Sequence, residues 1–170
     1  MASQWHSQVS QKLFMARTLL KQAQNVPSAE PEAQAPGTDQ ALFREAATQG
    51  ATELMIRARR LLLNLIAQLY QHRSAEPATL AELAGLIGEE TNEVRQLREL
   101  ERQAGSWWNH LEQLETAQSR PAEPRKTVSA DNIIAISAET GPDRSGTALL
   151  NTVGAMKIFA DDLAEQHSEW

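Results

Sequence analysis

The sequence predicts an all-α protein: a helical bundle of about five helices, with one long central helix and proline-rich connecting loops. Three observations carry this reading. Apolar residues recur at steps of three and four through most of the 170 residues, which is the period of one helical face. Aromatic residues, which strands favour, make up only 5% of the chain. Prolines, which break helices, sit where the periodic segments stop. The length suits one domain spanning 1–170.

The first helix is read from Trp5, Val9, Leu13, Ala16, Leu20 and Ala23, which share one stripe. Ser3 is its candidate N-cap, and Pro27 predicts a stop near Asn25, because the residue before proline avoids helical geometry. Residues 26–38 read VPSAEPEAQAPGT. Three prolines and little apolar content predict a mobile loop that lets its flanking helices pack side by side.

The second helix runs from about Thr38 to His72, with Phe43, Ala47, Gly50, Leu54, Ala58, Leu61, Leu65 and Leu69 on one stripe. Its later half adds Leu62, Leu63 and Ile66. So wide an apolar arc needs cover on more than one side, so this is the expected central helix, with Leu61, Leu62, Leu65 and Leu69 almost fully buried. After Pro77, Leu80, Leu83, Ala84 and Ile87 predict a short amphipathic turn or helix, weakened by Gly85 and Gly88. A helix from about Glu89 to Gln103 follows, with Val94, Leu97 and Leu100 inward, and Gly105 breaks it. Ser106 can cap the next helix, which carries Trp107, Leu111 and Leu114.

Residues 119–130 are polar and contain proline, and a second mobile loop is expected there. The run Ile133-Ile134-Ala135-Ile136 fits either a strand or a buried helical turn. A last helix is expected from Ser145 or Thr147, with Leu149, Val153, Met156, Ala160 and Leu163 on one stripe.

Composition excludes several kinds of site. There are no cysteines, which removes disulfides, thiolate catalysis, iron–sulfur clusters and cysteine zinc sites. A net charge of −6 disfavours a nucleic-acid binder. Residues 1–85 hold eight basic and seven acidic side chains, whereas 86–170 hold eight and fifteen. The acidic later half is a candidate face for a basic partner, and solvation alone explains the excess equally well. No apolar run has the length of a signal peptide core or a membrane span, and a cytoplasmic location is expected.

Catalytic motifs are missing in the same way. Three residues before His6, His72, His110 and His167 stand Ser3, Leu69, Trp107 and Ala164. The Glu-x-x-His pairs of bundle di-metal sites are therefore absent. The HExxH, P-loop, GxGxxG and GxSxG patterns are also absent. Arg57, Arg59 and Arg60 read as a solvated face paired with Glu53. Arg95, Arg98 and Arg102 alternate with Glu93, Glu99 and Glu101 and read as intrahelical ion pairs. His110 reads as a surface or capping histidine. The first helix carries Lys12, Arg17 and Lys21 and no acid, so it could lie on a membrane surface or simply pack on the second helix.

Neighbouring residues on a helix point about 100° apart, so Trp107 and Trp108 cannot share a stripe. Trp107 goes with Leu111 and Leu114 and is expected in the core. Trp108 goes with Glu112 and Glu115 and is expected at the boundary or surface. Trp108, Glu112 and Glu115 are therefore the candidate interaction surface for a partner protein or a second copy of the chain, unless Trp108 folds over a neighbouring helix or the 119–130 loop as ordinary packing.

Several stretches together carry a family resemblance: Gln11-Lys12-Leu13-Phe14-Met15-Ala16, Arg44-Glu45-Ala46-Ala47, Ser106-Trp107 with Leu111 and Leu114, Ile133-Ile134-Ala135-Ile136, and Ser168-Glu169-Trp170. In order and spacing the chain resembles a family of small, uncharacterised all-helical bacterial proteins classed as a domain of unknown function. The resemblance implies a cytoplasmic helical protein and supplies no catalytic residue. The expected function is a non-enzymatic protein–protein interaction or regulatory module, with no cofactor and no metal. A peripheral membrane protein acting through the first helix is the alternative. An enzyme with a carboxylate and histidine site hidden from sequence spacing stands third.

Overall fold

A computed structural model of the chain describes residues 4–25, 37–121 and 141–167. Among these are six helices and no strand: α1 (Gln4–Asn25), α2 (Gly37–Leu69), α3 (Leu80–Ile87), α4 (Asn92–Arg102), α5 (Trp107–Gln118) and α6 (Gly146–Gln166). Six replaces about five, because the stretch after Pro77 forms a full two-turn helix of its own. The Ser3 cap, residues 26–36 and 122–130 of the loops expected at 26–38 and 119–130, and the Ile133–Ile136 run lie outside the described residues, while Gly37 and Thr38 already belong to α2. Among the described residues no helix is long and apolar enough to cross a membrane.

Local chemistry sets the ends of the helices. Thr79 caps α3: its Oγ1 accepts from the Glu82 amide at 3.1 Å, while the Glu82 carboxylate accepts from the Ala78 amide at 2.8 Å. This is a variant of the capping box. Ser106 and Ser145 cap α5 and α6, accepting from the amides of Asn109 at 3.1 Å and Ala148 at 3.2 Å. The end of α2 is a Schellman motif. The His72 amide donates to the Ala67 carbonyl at 2.9 Å and the Gln71 amide to that of Gln68 at 3.0 Å. The motif needs a left-handed residue after the helix, and Gln71 takes that role at φ 67°.

The long helices pack around one apolar core. α1 lies along α2, and α6 covers α1 and touches α2 and α5. α1 and α6 run antiparallel: His6 meets Asp161 near one end, and the Gln24 side chain lies against Gly146 near the other. α3 rests on α2, and α4 joins α3 to α5. Val9, Leu13, Ala16 and Leu20 of α1, Leu62, Leu63, Leu65 and Ile66 of α2, Leu111 and Leu114 of α5, and Leu149, Met156 and Leu163 of α6 all belong to the core cluster.

Two features of α2 differ from the stripe read off the sequence. Leu61 and Leu69 are only partly buried, while Leu63 and Ile66 are fully buried, and Phe43 is exposed. The buried arc follows Ala47, Ala51, Met55, Ala58, Leu62 and Leu65. Over much of the helix this is one residue, about 100°, from the line through Gly50, Leu54 and Leu61. Both lines have helical period. α1 alone does not choose between them, since Gly50 of the second line sits against Leu19 of α1; α1, α3, α5 and α6 all touch α2 and together set which residues are covered.

Candidate functional site

The tryptophan pair is the first place the structure departs from expectation. Trp107 is in the core as read. Trp108, placed by the sequence at the boundary, is also buried, at 4% exposure. The two indoles meet edge to face with centroids 5.4 Å apart, and Trp107 also tilts against Phe159 at 5.7 Å. The physical reason is that α5 is packed by α2, α4 and α6, so its covered arc is wider than one stripe. Arg59 of α2 completes the cover. Its guanidinium lies over the Trp108 ring at 5.1 Å and forms an ion pair with Glu115. Arg59 therefore turns inward to α5 and does not share a solvated face with Glu53. Of the expected surface patch, Glu112 is exposed, Glu115 is half-buried in the Arg59 pair, and Trp108 is inaccessible.

The histidines act as bridges between elements. His110 Nε2–H donates to the Asp143 carbonyl at 2.8 Å, and its Nδ1 accepts from the Thr152 hydroxyl at 2.6 Å. Both ring nitrogens are used in tying α5 to the start of α6, although a cavity of about 450 Å³ opens beside them. His6 Nε2–H donates to Asp161 at 2.9 Å, and Lys157 donates to the same carboxylate. Burial alone would raise the Asp161 carboxyl, but the hydrogen bonds from Lys157 and His6 outweigh it and hold the group below the usual range.

The most buried of these bridges centres on Glu93, in the first turn of α4 and 4% exposed. The Tyr70 hydroxyl donates to its Oε2 at 2.5 Å, and His167 Nε2–H donates to its Oε1 at 2.9 Å. Burial works against the charge on Glu93. The hydrogen bonds from Tyr70 and His167 overcome that, so the carboxyl titrates below its ordinary value. Burial, with the Glu93 charge beside it, pushes the Tyr70 hydroxyl up to about 12. A phenol held protonated is no nucleophile, and a carboxylate with both oxygens engaged is a poor base. The trio clamps the end of α2, the start of α4 and the end of α6. Among the described residues no group of three His, Asp or Glu side chains could hold a metal ion.

The surface feature that stands apart lies between α1 and α6. A groove of about 500 Å³ is lined by Ser10, Leu13, Phe14, Leu150, Gly154 and Ile158, with Arg17, Lys21 and Lys157 also lining it. Phe14 is 71% exposed and Ile158 is 63% exposed. The apolar stripe of α1 that a membrane surface would have to receive, Val9, Leu13, Ala16 and Leu20, is buried in the core. Phe14 stands off that stripe, which is why the helical period passed over it.

A family model described as a family of unknown function, DUF6586, matches residues 1–170. The chain belongs to DUF6586. That settles the resemblance read from Gln11–Ala16, Arg44–Ala47 and the Ser106-Trp107 cap, and the all-helical fold agrees with it. No curated protein and no solved structure matches this DUF6586 chain. The groove of this DUF6586 protein had two signals in the sequence. Phe14 is an apolar residue off the stripe of its helix, and Gly154 interrupts the interior of another. Neither shows that the two helices lie side by side.

Proposed function

We propose that this DUF6586 chain is a non-enzymatic interaction module that binds a protein partner on the face formed by α1 and α6. The observation that supports this is the pair of large apolar side chains, Phe14 and Ile158, standing in solvent on either wall of one groove. Isolated exposed apolar residues are ordinary, but residues that share a concave surface with a polar rim mark binding sites. The core does not need them, because the packing of α1 on α6 is made by Leu13, Val153, Met156 and their neighbours.

The test uses a double variant, Phe14→Asp with Ile158→Asp. Surface substitutions of this kind leave the melting temperature nearly unchanged. Partners captured from host extract by the wild-type chain are purified and titrated against both proteins by calorimetry. The expected result is a Kd at least 100-fold weaker for the variant. Equal affinity for every purified partner places binding elsewhere and overturns the reading.

A further inference from the structure

We infer that the groove receives an acidic amphipathic helix of the partner, about three turns of which lie between α1 and α6 with their backbone passing over Gly154. This rests on the reading above and names the chemistry of its partner.

Gly154 carries the argument. Glycine in a helix interior is destabilising relative to alanine, so its presence needs a cause. Its backbone is not in the left-handed region that glycine serves. A Cβ built there would meet nothing within 4 Å. Neither local conformation nor packing within the described fold calls for it. What the missing side chain provides is depth at the middle of a solvent-facing groove, where another backbone can come close.

The lining charges give the sign of the partner. Among the described residues Arg17, Lys21 and Lys157 line the groove and no carboxylate does, in a chain whose net charge is −6. Lys157 is held by Asp161, so Arg17 and Lys21 supply most of the attraction.

The shape gives the secondary structure. From Ser10 to Lys21 the α1 wall is roughly 17 Å long, or three helical turns. Both walls are helices, whose backbone groups bond internally, so there is no edge to which a strand could add. Recognition must be through side chains, in the manner of a helix laid in a groove with anchors at i, i+3, i+4 and i+7. A lipid surface is flat and fits a convex apolar face better than a groove.

The test measures fluorescence anisotropy of a labelled 18-residue peptide with leucines at the anchor spacing and glutamates flanking them. A companion peptide carries lysines in place of the glutamates. Expected are at least 10-fold tighter binding of the acidic peptide, weakening with salt, and loss of that preference in Arg17→Glu/Lys21→Glu. Gly154→Leu should abolish binding while raising Tm by about 2–4 °C. The milder Gly154→Ala should raise Tm too and weaken binding less. Equal binding of the two peptides overturns the acidic partner, and undiminished binding by Gly154→Leu overturns the path over Gly154. If neither peptide binds while a purified partner still depends on Phe14 and Ile158, the acidic helix fails and the interaction reading stands. Binding to phosphatidylglycerol vesicles in place of the peptide, or self-association lost in Phe14→Asp/Ile158→Asp, assigns the groove to a membrane or a second copy and overturns the inference.

Discussion

Arg59 shows how a single side chain can change the role of its neighbours. On the sequence it belongs to a run of three arginines with Glu53 close by. In the fold it spans from α2 to α5, lies over the Trp108 ring and pairs with Glu115. An arginine stacked on an indole buries its planar face while its N–H groups still reach a carboxylate. Trp108 is thus a packing residue. Trp108→Ala should cost about 3–5 kcal/mol, the range for removing a large buried aromatic, read by urea unfolding, with an unchanged elution volume on sizing. A loss below 1 kcal/mol together with altered elution would return Trp108 to the surface. Sequence spacing could not show this, because the residue that covers Trp108 comes from a different helix and is 49 positions away in the chain.

At the scale of elements, the helices and most of their ends were legible. Caps are local, and Ser106 and Ser145 could be read where they stand. Periodicity likewise placed α1 and α6 on their buried stripes. It failed in part on α2, where two lines of apolar residues both have helical period and only the packing of several neighbouring helices chooses between them. The end of α2 was also hidden, because Gln71 occupies a left-handed position that glycine would normally mark. Gln71→Gly should therefore stabilise the protein by about 0.5–1 kcal/mol, the relief of left-handed strain less the added freedom of the unfolded chain. A thermal melt checks it, and a lower Tm would mean that the glutamine side chain makes up for its backbone.

For the whole molecule, the Glu93 clamp joins three elements that no local pattern connects. Tyr70, Glu93 and His167 are scattered along the chain, and sequence gives no hint that they meet. The clamp has a pH signature. The folded carboxyl titrates below its ordinary value near 4.5, so its stabilisation is present above that value and is lost as pH falls through the lower folded one. Glu93→Gln should lower stability at pH 7 by about 1.5–3 kcal/mol and flatten the acid limb of a stability profile taken from pH 6 to pH 3. Asp161 is held low by Lys157 and His6, so some acid dependence will remain in the variant. An acid limb of the same slope in variant and wild type would remove Glu93 from the account.

The antiparallel pairing of α1 with α6 has a kinetic consequence. His6 and Asp161 are 155 positions apart, so the walls of the groove come from segments made at very different times during synthesis. α1 and α2 lie close in the chain and pack on each other, so they can pair early, whereas α6 must wait for the chain between them, and long closures are slow. Until α6 docks, half of the groove does not exist. A ligand that needs both walls therefore recognises only chains that have finished folding, and by mass action it draws the population toward that state.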